Sequence, residues 1–238
     1  MSTRDAFLAQ VRRSLGREAG AAPQVVTDTG LSVSREQAIA EAAFVRSIIA
    51  EQADSLFEAA STAAEAADWT VHRMHSFESA ALRVLRLCRE REVTATVLTG
   101  HDALEEAQIA KTLTDVGIEA AVLGGGPIQT KAAAFRAGAG ITGADYFIAE
   151  TGTLVLHPRL QVSRLVSLAP PVHIALLKKE QVLPSLDELF ILERAEHLSG
   201  TLAGSMNLIS GPSRTGDIEG TIVKGIHGPL ETHLVMIG

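Results

Sequence analysis

The sequence predicts an α/β domain: a mostly parallel sheet flanked by helices, with some antiparallel strands late in the chain. Three observations predict it. Apolar residues make up 46% of 238 residues while aromatics make up only 4%. The core must therefore come from Ala, Val, Leu and Ile, which suits helices packed on a buried sheet. Between residues 69 and 126, β-like runs alternate with helical ones, the pattern of parallel strands joined by crossover helices. From residue 145 onward, apolar runs follow one another across short turns, as antiparallel strands do.

The elements follow in order. Phe7, Val11 and Leu15 recur at spacing four, with Leu8 alongside, so residues 3–15 are expected to form an amphipathic helix. Arg12, Arg13 and Arg17 lie on or beyond its other face. Residues 16–33 lose the period and read as a linker. The chain therefore divides into an N-terminal helix with a flexible linker (1–33) and an α/β domain (34–238). The first helix either docks on a partner or packs back on its own domain.

Ser34-Arg-Glu-Gln37 matches a capping box and opens an Ala-rich helical region to about Ala67. WTVHRM (69–74) reads as a strand. Residues 77–92 read as a helix with Leu82, Leu85 and Cys88 inward. VTATVLTG (93–100) is a strand and 102–115 a helix, closed by Val116-Gly117. IEAAVLGGG (118–126) is a strand running into glycines. DYFIAETGTLVLHP (145–158) is a pair of strands bent at Glu150-Thr151-Gly152-Thr153. LVSL (165–168) and VHIALLKK (172–179) read as two more, split by Pro170-Pro171. Ser185 caps a helix through about Ala195. NLIS and THLVMIG (232–238) are the late strands.

Composition excludes several function classes. Acids outnumber bases 28 to 21, for a net charge of -7, and no basic run with interleaved aromatics is present, so nucleic acid is not an expected partner. Apolar runs fall short of the roughly 18 residues a membrane span needs. The N-terminus lacks the apolar segment of a secretory signal. The single Cys88 fits a reducing cytoplasm and cannot hold an iron–sulfur cluster, which takes about four thiolates. Gly138, Gly140 and Gly143 spell GxGxxG, but a helix-like run precedes them and a strand follows, the reverse of a dinucleotide site. No Walker loop, HExxH or paired-Cys knuckle occurs. No cofactor and no metal are expected in this chain.

Two stretches carry candidate chemistry. Glu150 interrupts apolar runs, and burying a lone carboxylate is costly. It is either a base, nucleophile or substrate ligand, with Thr151, Gly152 and Thr153 as donors, or a solvated turn residue. SGPSRTGDIEGTIVKGIHGP (210–229) crowds glycines around one arginine. A short helix starting near Thr215 would aim its amides at the loop. Ser210, Gly211, Ser213, Arg214, Thr215 and Asp217 would then hold a small carboxylate or phosphate, with Arg214 as the planar fork. The alternative is a tight turn in which Arg214 pairs with Asp217, Glu219 or Glu150. His227 is a candidate proton shuttle beside Glu150 or Arg214, or a strand-end residue. Gly124-Gly125-Gly126-Pro127 ends a strand and would line the same crevice.

GITGADYFIAETGTLVL (140–156), LVSLAPPVHIAL (165–176) and SGPSRTGDIEGTIVKGIHGP (210–229) resemble the LUD domain of the lactate utilization protein C (LutC) family, over about residues 34–238. The resemblance implies a fold of the sugar-phosphate isomerase and CoA-transferase type. It implies a role in oxidising L-lactate to pyruvate beside iron–sulfur partner proteins, this chain being the cluster-free one. Gly216, where members often carry Ala, is a mild departure. Other readings stand beside it. One is a stand-alone isomerase or acyl-transferase-like enzyme using Glu150. Another is a non-catalytic assembly or regulatory subunit. A homo-oligomer and a small organic acid ligand fit all of them.

Overall fold

Residues 3–14, 16, 33–123, 127–218 and 221–238 are described in the structure, a computed structural model. They fall into two units, Met1–Ser34 and Arg35–Gly238. In the first, helix α1 (Thr3–Ser14) has Asp5 in its first turn and Arg12 and Arg13 in its last, the charge order a helix dipole favours. The expected linker lies almost wholly outside the described residues.

In the second unit the Ala-rich region forms two helices, α2 (Arg35–Glu51) and α3 (Ala53–Ala66). Helix α2 buries Ala38, Ala42, Val45 and Ile49, one stripe at helical spacing. Strand β1 (Thr70–Met74) leads into α4 (Phe77–Glu90), which Ser76 and Ser79 close with a reciprocal capping box. Leu85 and Cys88 face inward as expected, but Leu82 is 57% exposed. The inward stripe runs through Ala81, Val84, Leu85 and Cys88, and Leu82 lies one residue, about 100° of helix, beyond it.

Strand β2 (Ala95–Leu98) is followed by two short helices, α5 (Asp102–Glu106) and α6 (Ile109–Thr114), rather than one. Gln108 between them is left-handed, with φ of 50°, and breaks the ladder. Then come β3 (Glu119–Val122), α7 (Pro127–Arg136), β4 (Ala139–Gly143), β5 (Tyr146–Ile148) and β6 (Thr153–Leu156). Residues 165–168, expected as a strand, are helix α8 (Leu165–Leu168). Four apolar residues ahead of two prolines carry no period that separates the two states, and tertiary packing decides. The rest is β7 (Val172–Lys178), β8 (Val182–Leu183), α9 (Leu186–Ser199), β9 (Asn207–Ile209), β10 (Arg214–Ile218), β11 (Thr221–Lys224) and β12 (Glu231–Ile237). Ser185 caps α9 as expected, reciprocally with Glu188.

The main sheet has the order β1-β12-β7-β4-β2-β3, and every neighbouring pair is parallel. From β2 the chain steps to β3 on one side, then returns past β2 to β4 on the other. The strand order therefore reverses between β2 and β4, a topological switch point of the kind where open α/β sheets bind ligands. A second sheet has the order β8-β5-β6-β9 around the antiparallel hairpin β5–β6, and β10–β11 is a separate hairpin. The α/β class with late antiparallel strands is thus as expected, except that late strands β7 and β12 rejoin the parallel sheet.

One face of the main sheet packs on α4, α5 and α6, burying Val84, Leu87, Ile109 and Leu113 against Ile141, Ile174, Leu176 and Val235. On the other face Val97, Ala134 and Val166 meet. Among the described residues no helix is long and apolar enough to cross a membrane.

Gly140, one of the glycines of the GxGxxG spelling, is a packing residue. A Cβ there would stand 1.8 Å from the Val166 carbonyl oxygen and 3.2 Å from Pro170. Gly140→Ala is expected to cost about 3 kcal/mol, since backbone rather than a flexible side chain must move. A urea unfolding midpoint unchanged from wild type would contradict this packing.

Candidate functional site

The bend of the β5–β6 hairpin is where Glu150 sits. Its amide donates to the Pro184 carbonyl at 3.0 Å, while its side chain is exposed. Gly152 has φ of 64°, and a Cβ there would meet the Ala63 carbonyl at 2.4 Å. Trp69 Nε1 donates to the Gly152 carbonyl at 3.1 Å. The bend is therefore pressed onto the last turn of α3. Thr151 Oγ1 lies 2.7 Å from Thr153 Oγ1, which lies 2.7 Å from Ser210 Oγ. This hydroxyl chain ties the bend to the start of the late glycine loop. Gly211, with φ of 90°, docks on the same helix end: a Cβ would stand 1.9 Å from the Ala67 carbonyl. These two glycines bring backbone against α3.

The structure corrects one element of the expected anion site. Residues 214–218 are strand β10, not the start of a helix. Arg214 pairs with Lys224 and Thr215 with Val223 in the β10–β11 ladder, so no helix dipole points at the loop. Arg214 Nη2 lies 2.7 Å from Asp68 Oδ2, and Lys224 Nζ lies 2.9 Å from the same oxygen. The Lys224 hydrogen bond and the Arg214 charge hold the Asp68 carboxyl below its usual range. Arg214 thus has a partner, and it is none of the three expected. Ser213 sits elsewhere in the loop: its amide donates to the Pro229 carbonyl at 3.0 Å, and its hydroxyl accepts the His227 amide at 3.1 Å. The His227 ring is exposed. Asp217 lies in β10. Thr151, Gly152, Thr153, Ser210 and Gly211 are thus brought together at the α3 corner. No ion pair among the described residues joins Glu150 to Arg214 or His227. Glycines 124–126 fall outside the described residues.

A different cluster gathers at the switch point. Asp145 follows the end of β4, His101 the end of β2, and His157 the end of β6. Asp145 Oδ1 lies 2.9 Å from Arg159 Nη1 and 3.6 Å from His101 Nε2. Asp145 Oδ2 accepts the His157 amide at 2.7 Å, and His157 Nδ1 lies 3.5 Å away. The other ring nitrogen of His157 lies 2.5 Å from Glu193 Oε1 of α9. Gly143 makes room, since a Cβ there would stand 2.2 Å from His101 Nδ1. Tyr146 meets the His157 ring edge-on at 6.2 Å.

The electrostatics follow from this geometry. Burial opposes the charge on Asp145, but hydrogen bonds from His101 and His157 and the Arg159 charge outweigh it, holding the carboxyl well below its usual range. The Asp145 carboxylate, with Glu193, raises the His157 imidazole against its burial. Burial pushes Glu196 up, with Glu193 adding to it. A cavity of about 240 Å³ is lined by Asp145, Tyr146, His157, Arg159, Glu196 and Thr201. It offers an imidazole held between two carboxylates that favour its charged form, next to a carboxyl whose ionisation burial disfavours: an arrangement for proton transfer or polar-ligand binding. Among the described residues no group of three or more His, Cys, Asp or Glu side chains is placed to hold a metal ion. The sequence offers one signal for this cluster, that each of its three central residues stands just past a strand end, where side chains reach the sheet's rim.

A parallel sheet with a topological switch point, followed in the chain by a second small sheet, defines the class: an α/β domain. Residues 57–237 match the LUD domain, and the chain belongs to the LUD domain family. It is 34% identical over 103 residues to lactate utilization protein C of Bacillus subtilis (strain 168), a match covering 43% of each chain. It is 30% identical over 159 residues to the uncharacterized protein YkgG of Escherichia coli (strain K12), covering 66% of this chain and 69% of that one. The matches to the lactate utilization proteins thus span less than half the length of those relatives. Among solved structures, a DUF162 family protein from Deinococcus radiodurans is 19% identical, with a TM-score of 0.47, over 81% of this chain and 98% of that one.

Asp145→Asn is expected to destabilise the protein by about 3 kcal/mol, because it leaves buried donors facing a neutral amide. The pH dependence has a definite sign. Asp145 ionises more readily folded than unfolded, so its contribution is complete at neutral pH and is lost as the pH falls below about 4. His157 works in the opposite sense: its contribution is complete below about pH 6.5 and is lost as the pH rises through its elevated value. Urea midpoints across pH check both, and an acid limb identical in wild type and Asp145→Asn would remove Asp145 from this role.

Proposed function

We propose that this protein is a component of a lactate utilization system, working in the cytoplasm, in which L-lactate is oxidised to pyruvate together with iron–sulfur partner proteins. The observation that supports this reading is the match to the LUD domain over residues 57–237, beside relatives that carry the name lactate utilization protein C. Oxidising a 2-hydroxy acid to a 2-oxo acid removes two electrons and two protons, and the electrons need a carrier. Cys88 is the chain's one cysteine; burial pushes its thiol up to about 11, far from thiolate chemistry. On this reading the electron carriers belong to the partners, and this chain contributes binding. A small carboxylate would lie at the α3 corner, where the hydroxyls of Thr151, Thr153 and Ser210 converge and Arg214 is exchanged from Asp68 to the ligand.

Purified alone with L-lactate and an artificial electron acceptor, the protein is expected to give no turnover. Adding cluster-bearing proteins that co-purify with it from its host should give turnover, and robust oxidation by the isolated chain would overturn the shared-labour reading. Arg214→Ala should abolish the rise in melting temperature produced by lactate or pyruvate, while loss of the exposed ion pair itself should leave the ligand-free melting temperature nearly unchanged. An undiminished rise would leave the loop as a structural turn.

A further inference from the structure

The turn after β6 is strained, anchored, and only partly used by its own protein. The Arg159 amide donates to the Val162 carbonyl at 3.3 Å and the Val162 amide returns to the Arg159 carbonyl at 2.9 Å. Leu160 and Gln161 form the corner. Gln161 has φ of 65°, a left-handed conformation that costs a non-glycine residue on the order of 1 kcal/mol and gathers at functional sites. Its carbonyl accepts the Gly100 amide at 2.7 Å. A Cβ on Gly100 would stand 2.8 Å from Gln161 Oε1 and 2.9 Å from its Cβ. The turn is thus pinned past the carboxyl end of β2, beside the switch point.

Against this turn lies a cavity of about 430 Å³, lined by Leu123, Arg159, Leu160, Gln161, Ser163 and Arg164 among others. Among the described residues that line it, none is acidic and two are arginines. All the hydrogen bonds of the Arg159 side chain, to Asp145 and to the His157 carbonyl, run through Nη1, so Nη2 and Nε of its fork have no partner among the described residues. The exposed Arg164 guanidinium has none either. Two arginines with donor capacity to spare, beside Leu123, Leu160, Val162 and Leu165 and the polar Gln161 and Ser163, are a match for an anionic group carried on a partly apolar body. Size decides which. A water's share of liquid volume is about 30 Å³, so a cavity of about 430 Å³ has room for an anion whose body extends well beyond lactate's six heavy atoms.

We propose that the 430 Å³ cavity at the switch point binds an organic anion larger than lactate. Its phosphate or carboxylate is held by Arg159 and Arg164, and its body lies against Leu123 and Leu160. The site is separate from the α3 corner and stands whether or not that corner takes a small acid. Isothermal titration calorimetry on the full chain tests it with two probes, adenosine diphosphate for the phosphate source and phenylpyruvate for the carboxylate source. Binding of one or both is expected, the tighter probe naming the source, and millimolar L-lactate should not displace it. Arg164→Gln is expected to weaken binding by roughly tenfold, the loss of one charge-assisted contact, with the unfolding midpoint unchanged. Wild-type binding should also weaken as salt is raised, which reads the same contacts without a variant. No heat with either probe at millimolar concentration, an affinity unchanged in Arg164→Gln, or binding insensitive to salt would overturn the proposal. Displacement by lactate would do so too, by assigning the heat to the small-acid site.

Discussion

Asp145 is the carboxylate on which the architecture turns. It stands where β4 leaves the parallel sheet and the β5–β6 hairpin begins. From there it reaches His101 after β2, the amide and ring of His157 after β6, and Arg159 beyond. Through His157 the same network reaches Glu193 on α9. One charge thus joins the rims of both sheets to a helix. A carboxylate this enclosed is stable only because its donors more than offset burial. That condition holds the ring of His157 between Asp145 and Glu193, where both carboxylates favour its protonated form.

Glycine performs the complementary task. Where Asp145 joins elements through side chains, Gly140, Gly152 and Gly211 join them through backbone alone, against the carbonyls of Val166, Ala63 and Ala67. Gly152 and Gly211 come from stretches nearly sixty residues apart in sequence, yet both meet the last turn of α3. The same residue type that makes a loop look ready for an anion is here used to close on a helix end. Packing absorbs the conformational freedom that the sequence displays.

What the sequence made legible follows from how local each signal is. The β5–β6 hairpin, β7, β12 and the Ser185 cap were readable because each is specified by its own residues. Leu82 was misplaced because three leucines and a cysteine in one helix admit more than one apolar stripe. The strand expected at 165–168 is a helix because its choice lies with Gly140, which makes room for Val166. Thr215 is in a strand because Val223 pairs with it, and an N-cap residue signals a helix only where no such partner is at hand. The partner of Arg214 is Asp68, from the other end of the domain, and no spacing rule reaches that far. The Asp145 cluster has the same long-range character: its members are scattered from His101 to Glu193 and become neighbours only through strand order.

Charge accounting separates the two candidate regions. At the α3 corner, Arg214 and Lys224 share a single carboxylate, Asp68, so an incoming anion must compete with an existing pair. The hydroxyls of Thr151, Thr153 and Ser210 are already bonded to one another. A small acid there would gain only the difference between two similar sets of contacts. At the switch point the account is different. Asp145 engages one nitrogen of Arg159 and leaves the rest of the fork, while Arg164 meets no carboxylate among the described residues. The turn that holds both arginines accepts the strain of Gln161 to stay in place. Strain is kept where it maintains something the fold does not otherwise need. By that criterion the rim of β2 and β4 has the stronger case as a recognition site, and the late glycine loop serves first of all as the clasp that holds the β5–β6 bend to α3.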